Sequence, residues 1–446
     1  MEKVVIIGNG ISGVTVARHI RKNSDKEILI ISGETEHFFS RTALMYVYMG
    51  HMRFEDIKPY EDYFWKKNKI DLLFDFVESI DTETKSLKMK SGQSVSYDKL
   101  VLATGSKPNM FGWPGQALNG AQGLYSFQDL ESVEKNSKYT KRAVIVGGGL
   151  IGVEFAEMML SRGIEVTFLV RESKFWGNVL PEEEGKLISD HIKSHHVDLR
   201  FNTELDEIID DGNGNVKGIK TKSDEIIDCE IVGLTAGVSP NVEFVKTSKI
   251  NVERGIRINK YFETNIKDVY AIGDCAQLDE GINGRRNIEQ VWYTGRIMGE
   301  TLAQGICGNK IAYKPGPWFN SAKFFDIEYQ TYGWVLAKRQ DHETDFYWEH
   351  KDGKLAMHFV WDKNTSEFIG INTFGIRLRH ELFDNWLKQK VSIDEVIKNL
   401  KIANFDPELF KSFETEIIQQ FNQKTGKNIE MTPKKWWRNL LTKSNA

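Results

Sequence analysis

Residues 3–20 read KVVIIGNGISGVTVARHI, and residues 142–160 read RAVIVGGGLIGVEFAEMML. In each, an apolar run of strand length meets three glycines in the spacing GxGxxG and continues into a segment with small residues at helical spacing. A second apolar run follows each, EILIISGE at 27–34 and EVTFLVRE at 165–172, so each is a βαβ unit of roughly 30 residues. One such glycine motif is weak evidence. Two in the same strand, turn and helix context predict two Rossmann-like dinucleotide-binding domains of α/β class. Gly8 and Gly147 permit the tight turn, Gly10 and Gly149 let backbone approach a pyrophosphate, and Gly13 and Gly152 let the helix close on its strand. Phosphates are then expected on the free N–H groups of the first helical turn, where Ser12, Leu150 and Ile151 stand. Glu34, about 20 residues past Gly13, sits where an acid hydrogen-bonds an adenosine ribose, with Glu36 as a rival.

Two later segments mirror each other as the glycine units do. LVLATGSKPN (100–109) and IVGLTAGVSPN (231–241) are strands ending in small residues and a proline turn, and Ala103, Thr104 and Gly105, with Ala236 and Gly237, are candidate cofactor contacts. VYAIGDCAQ (269–277) then sets Gly273 and Asp274 just after a strand. From about Pro315 the texture changes. Seven of the eleven tryptophans lie from Trp318 onward, and TDFYWEH and KLAMHFVWD alternate as antiparallel strands do. The expected division is 1–112 and 251–314 for one dinucleotide domain, 113–250 for the second, and 315–446 for a C-terminal α+β domain whose helices begin near Leu378.

Composition narrows the function classes. The 446 residues carry 59 basic and 63 acidic side chains, net −4, so no global field favours nucleic acid, and none is expected as a partner. The three cysteines, Cys229, Cys275 and Cys307, lack CxxC or zinc-site spacing, which points to a reducing compartment and no structural metal. The first residues enter a strand without a leader-like run, and no stretch of about 18 apolar residues occurs. A cytoplasmic location is the expectation.

The order of pieces, a GxGxxG, an ATG turn, a second GxGxxG, a TAG turn and a GD box, resembles the two-dinucleotide-binding-domain flavoproteins of the pyridine nucleotide-disulfide oxidoreductase superfamily, over roughly residues 1–335. The resemblance implies FAD on the first unit and the GD box, NADH or NADPH on the second, and a third domain that forms a homodimer interface or docks a partner. Gly8, Gly10, Gly13 and Glu34 would bind the ADP half of FAD, and Asp274 its ribityl chain or pyrophosphate. The helix opening near NIEQVWYTGR (287–296), with Glu289, Gln290 and Val291 before it, would aim its N-terminus at the flavin pyrimidine. Glu154 matches an acid that lies near nicotinamide and flavin in relatives. At the end of the second unit's second strand, Val170 occupies the usual place of an acid and Arg171 follows, which favours NADPH; Glu172 keeps NADH open.

HFFSRTALMYVYMG (37–50) discriminates among branches of that superfamily. Disulfide reductases carry a CxxxxC there, and coenzyme A-disulfide reductases and NADH oxidases a single cysteine, whose place here is taken by Thr42. A threonine hydroxyl cannot store electrons as a sulfenate or a mixed disulfide. Phe39, Arg41 and Leu44 resemble the Y-x-R-x-x-L pattern of the ferredoxin, rubredoxin and nitrite reductase-like branch, in which Arg41 would contact FAD. The lysine that pairs with the acid at Glu154 in some relatives falls on Tyr46. PWFNSAKFFDIEYQTYG (317–333) resembles the segment opening the third domain of that branch, with Ala322-Lys323 in place of its Asp-Gln. The resemblance therefore implies an FAD-dependent NAD(P)H oxidoreductase that passes electrons directly to an external carrier such as a ferredoxin, rubredoxin or Rieske protein. Two alternatives stand beside it. One is a quinone reductase at the inner membrane surface, because MTPKKWWRNLLTKSNA (431–446) has the makeup of an interfacial or dimer-docking helix. The other is a redox sensor resembling apoptosis-inducing factor.

Overall fold

β1 (Lys3–Ile7) lies at the centre of a five-stranded parallel sheet, with Val4, Val5 and Ile6 wholly buried. The order is β9-β4-β1-β2-β3, where β2 is Glu27–Ser32, β3 Asp71–Phe74, β4 Lys99–Leu102 and β9 Val269–Ala271. Strands covered on both faces read as unbroken apolar runs rather than alternations, which is why VVII and LVLA look as they do. In this computed structural model, residues 1–282, 284–405 and 411–432 are described. Helix Ile11–Asn23 follows β1 and packs on helix Trp292–Ile306. Close approach of the two depends on Gly295 and Gly299, where a Cβ would stand 2.5 Å from Ser12 Oγ and 2.8 Å from Ser12 O.

The second βαβ unit builds its own parallel sheet, in which strands run β7-β6-β8-β5: β5 Ala121–Gln122, β6 Arg142–Val146, β7 Glu165–Val170 and β8 Ile231–Leu234. The two mirrored proline turns meet. Ser106–Pro108 pairs antiparallel with Val238–Pro240, and Asn109 donates from its amide side chain to Ala236 O at 3.2 Å.

The chain divides into two compact units, residues 1–171 with 202–315, and residues 172–201 with 316–446. The second unit is an antiparallel sheet in the order β10-β11-β14-β13-β12: β10 Phe319–Phe324, β11 Ile327–Gly333, β12 Glu343–Glu349, β13 Ala356–Asp362 and β14 Phe368–Phe374. The alternation in the sequence is the alternation of its faces. Phe346, Trp348, Met357 and Phe359 join Phe383, Ile397 and Phe421 of the following helices in one core, and the first of those helices is His380–Gln389.

Asp345, His358 and Asn372 belong to the other face, and helix Glu182–Ser194 brings Glu184 to them. This differs from the expected boundaries, which kept the whole of 113–250 in one domain. The physical reason is Glu184. Its carboxylate is completely buried and accepts from His358 Nδ1 and Asn372 Nδ2, both at 2.8 Å, while His358 Nε2 lies 2.8 Å from Asp345 Oδ2. A buried carboxylate without such partners would cost several kcal/mol. Of the expected tail helix, 431–446, all but the first two residues lie outside the described residues. Among the described residues no helix is long and apolar enough to cross a membrane.

Candidate functional site

A cavity of about 780 Å³ opens at the C-terminal ends of β1 and β4. That volume lies within the range of roughly 300–1,000 Å³ typical of small-molecule sites, and its place at the strand ends is where α/β sheets bind ligands. Its floor is Gly8, Asn9, Gly10 and Ile11, with Ser12 behind; Ala103, Thr104, Gly105 and Ser106 form one wall, and Asp274, Gln290 and Trp292 another.

The glycines separate into two kinds. A Cβ on Gly8, whose φ is +109°, would lie 2.1 Å from Ala103 O, and one on Gly13 would lie 1.9 Å from Gly8 O. Those two are required by the protein's own backbone. Gly10 has an ordinary extended conformation, φ −69° and ψ −178°, and a Cβ there meets nothing within 4 Å. Space is kept open at the N-terminus of helix Ile11–Asn23, where unpaired N–H groups attract an anion. The second βαβ unit repeats the distinction: a Cβ on Gly147 would be 2.7 Å from Thr235 O and one on Gly152 2.7 Å from Gly147 O, whereas Gly149 faces open space. This cradle fits a dinucleotide pyrophosphate.

Glu34 and Arg41 were each expected to meet the nucleotide separately, and in the structure they meet each other. Arg41 Nη1 and Nη2 donate to the two Glu34 carboxylate oxygens at 2.7 and 2.5 Å, a bidentate pair, and Nη1 also donates to Tyr125 O at 2.5 Å. Phe127 N donates to Glu34 Oε1 at 2.9 Å. Both residues still line the cavity. Paired in this way, they fix the wall geometry and offer the ligand little net charge.

Asp274 is buried beside Ser106, whose Oγ lies 3.1 Å from its Oδ2. Burial raises its pKa to about 6, opposed by the Ser106 hydrogen bond and by Arg41. Gln290 Nε2 donates to Ser106 Oγ at 2.8 Å, so Asp274, Ser106 and Gln290 form one chain along the wall. Gly273, at φ +74°, would place a Cβ 2.4 Å from Ser12 Oγ, so Ser12 and the GD box fit only because that position is bare. Val291 caps helix Trp292–Ile306. Glu289 does not line the cavity; its carboxylate is buried against Arg285 at 2.6 Å and Thr294 at 3.1 Å.

Thr42 is exposed on the cavity rim. Tyr46, on the short helix Leu44–Tyr48, lies outside the lining and stacks on His51, centroids 6.1 Å apart. Helix Leu150–Ser161 carries Leu150 and Ile151 in its first turn and Glu154 one turn on, none of them in the cavity lining. Arg171 is exposed just past β7. No lysine or arginine pairs with Glu154 among the described residues, and burial with the nearby Glu157 charge raises its pKa to about 7. The cavity therefore unites the residues of the first βαβ unit, the GD box and Gln290. The candidate residues of the second dinucleotide-binding domain, including Ala236 and Gly237, lie outside its lining.

Sequence reasoning missed Tyr125 and Phe76. Tyr125 sits under the Arg41 guanidinium at 4.5 Å and accepts from Ser106 N at 3.0 Å through its hydroxyl. Phe76 is 56% exposed at the cavity and covers Gly33, where a Cβ would be 2.4 Å from its ring. Neither stands in a motif, and nothing short of tertiary structure brings them to this place.

Comparison with known proteins follows the same lines. The family model described as Pyridine nucleotide-disulphide oxidoreductase matches residues 2–299. The nitrite reductase [NAD(P)H] of Bacillus subtilis (strain 168) is 29% identical over 279 residues, 62% of this chain and 34% of that protein. The assimilatory nitrate reductase electron transfer subunit of the same organism is 26% identical over 435 residues, 96% of this chain and 55% of that one. This chain thus spans about a third and about half the length of these two relatives. The rubredoxin-NAD(+) reductase of Acinetobacter baylyi (strain ATCC 33305 / BD413 / ADP1) is 30% identical over 288 residues, 63% of this chain and 73% of that protein. Among solved structures, a ferredoxin reductase from Rhodopseudomonas palustris superposes with a TM-score of 0.80 at 22% identity, covering 92% of this chain and 99% of that one. A NAD-dependent persulfide reductase from A. fulgidus gives 0.82 at 20%, covering 95% and 84%. At these identities the superpositions speak for the fold.

Proposed function

We propose that this chain, which belongs to the pyridine nucleotide-disulphide oxidoreductase family, binds FAD in the cavity at the first βαβ unit, oxidises NADH or NADPH at the second βαβ unit, and delivers the electrons to a separate iron–sulfur carrier protein. The observation that carries the last step is the absence of a thiol from the cavity wall. Thr42 stands at the rim where a redox cysteine would be needed, and no cysteine lines the cavity. Cys229 and Cys275 are wholly buried, and burial pushes the Cys229 thiol up to about 12. Reactive cysteines need the thiolate, which such surroundings disfavour.

FAD, when bound, would supply the redox chemistry, hydride acceptance and single-electron release. The residues supply position. Gly10 and the helix N-terminus behind it hold the pyrophosphate, the Glu34–Arg41 pair fixes the adenosine side of the cavity, and Asp274 with Ser106 and Gln290 accepts and orders hydroxyl groups. The N-terminus of helix Trp292–Ile306, beside the cavity-lining Gln290 and Trp292, would lend its positive end to a bound flavin. Glu154 would orient the nicotinamide carboxamide, and Arg171 would favour a 2′-phosphate, hence NADPH. Association as a homodimer belongs to the same reading and is tested by sedimentation.

The decisive experiment is anaerobic reduction of the purified FAD-loaded protein by NADPH and by NADH, followed by re-oxidation with a ferredoxin, a rubredoxin and a soluble quinone. Rapid bleaching and re-oxidation by an iron–sulfur protein is expected. Fast turnover with the quinone alone, or with a disulfide substrate, overturns the reading. A related expectation concerns Glu154. Because its folded pKa is raised above 4.5, the protonated form stabilises the fold and that contribution is lost as pH rises through about 7. Glu154→Gln should raise the melting temperature more at pH 8 than at pH 5, while slowing flavin reduction about tenfold and removing its pH dependence near 7.

A further inference from the structure

We propose that His191, His195 and Asp326 of the second unit form a binding site for one divalent late-transition-metal ion of the zinc kind. His191 and His195 are four residues apart at the C-terminal end of helix Glu182–Ser194, so both rings leave the same face. Asp326 sits in the tight turn between β10 and β11. Both Nε2 atoms converge on one oxygen: His191 lies 2.6 Å and His195 3.3 Å from Asp326 Oδ1. Among the described residues this is the group of three whose ligand atoms all fall within 4.8 Å of one another.

A second observation points to a ligand. The His191 side chain is only 2% exposed, and its Nε2 makes no hydrogen bond of acceptable geometry despite the nearness of Asp326. Its ring axis therefore misses the carboxylate oxygen, whereas a cation between the three groups would satisfy it. The surroundings prepare the ligands. Lys354 Nζ holds Asp326 Oδ2 at 2.8 Å, which leaves Oδ1 for the imidazoles. Phe325 stacks on the His195 ring at 4.3 Å and 10°, fixing its plane. Partners of this sort orient metal ligands.

The chemistry selects the ion. Two imidazoles and one carboxylate suit zinc and its neighbours rather than calcium or magnesium, which take oxygen ligands. Metal–ligand bonds of about 2.0–2.2 Å put tetrahedral ligands about 3.3–3.5 Å apart. The His195 spacing already matches, and the His191 spacing needs an opening of under ~1 Å. Asp326, with 54% of its side chain exposed, gives the ion a way in. Three protein ligands leave one position for water. The bound ion would tie the end of the helix to the hairpin within the second unit.

The test uses the full chain, stripped with chelator and titrated with Zn²⁺ against a chromophoric competitor, with Co²⁺ spectra as a report of coordination. One ion per chain is expected, with affinity lowered at least tenfold in His195→Ala and in Asp326→Asn and unchanged in His196→Ala. Zn²⁺ should also raise the melting temperature of the wild type and not of Asp326→Asn. Substoichiometric zinc in the wild type, or equal affinity in wild type and Asp326→Asn, overturns the proposal and leaves the three groups as an ion pair alone.

Discussion

Gly13→Ala is expected to yield almost no folded protein, whereas Gly10→Ala is expected to fold normally and lose FAD. The two glycines are three residues apart in one motif, yet they answer to different constraints. A methyl on Gly13 would press into Gly8 O at 1.9 Å and Gly8 C at 3.1 Å. Both are backbone atoms held between β1 and helix Ile11–Asn23, so relief requires moving the helix off the sheet. Overpacking a core by one methyl typically costs about 1–3 kcal/mol, and a backbone clash of this depth costs more, enough to exhaust the margin of many domains. Gly10 can adopt its observed angles with a side chain, and the methyl meets no protein atom within 4 Å. Loss of chain entropy in the unfolded state then makes Gly10→Ala neutral, or more stable by about 0.4–1 kcal/mol. The methyl projects into space the pyrophosphate needs, so FAD affinity should fall at least tenfold. Circular dichroism and melting of the apoprotein read the first quantity, and absorbance near 450 nm retained after gel filtration reads the second. Stoichiometric FAD in Gly10→Ala would remove the pyrophosphate from this cradle.

His358→Ala should be the most damaging substitution in the second unit. The imidazole bridges Glu184 and Asp345 at 2.8 Å on either side, and its side chain is 3% exposed. Removing one partner of a buried charge cluster costs about 3–5 kcal/mol, because the carboxylates are left without compensation. For a unit of this size the melting temperature should drop by ~10 °C. The pH dependence has a definite sign. Burial on its own would lower the His358 pKa, but the hydrogen bonds its ring donates to Asp345 and Glu184 outweigh it and raise the value to about 9. A group raised in the folded state contributes stability that is complete below its unfolded value of 6.5 and is lost as pH rises through about 9. That rise is worth roughly 3 kcal/mol. Glu184, itself pushed up from 4.5 by burial, also favours the fold at lower pH. Wild-type melting temperature should therefore decline between pH 7 and pH 10, and His358→Ala should lack that decline; an equal decline in both would place the titrating group elsewhere.

What could be read from the chain alone follows from how local each constraint is. The glycine motifs, the small-residue turns and the strand alternation of 344–362 report interactions between near neighbours, and they yielded both Rossmann-like domains and the antiparallel sheet. Asp274 was legible as a residue set just after a strand, in a box the resemblance singles out, and it lines the cavity. The Glu34–Arg41 pairing was not, since each residue had a plausible ligand and nothing in spacing says that a carboxylate and a guanidinium within one loop will choose each other. Tyr125 was invisible for a stronger reason: its hydroxyl serves Ser106, and no motif links the two. Glu184 carried no signal: it stands in PEEEG beside two exposed glutamates, and only tertiary packing singles out the buried one.

That same glutamate bears on how a protein of this design can be cut or recombined. The chain departs after Arg171, contributes a helix to the second unit, and returns at Asn202. The second unit is therefore threaded through the first in sequence and is not an appendix at its end. Truncation at Pro315 would not isolate a nucleotide-binding core; it would strand a helix whose inward face was made for a sheet no longer present. Any graft that exchanges the C-terminal sheet for another must carry helix Glu182–Ser194 with it, so the unit of inheritance is discontinuous and its two pieces must change together.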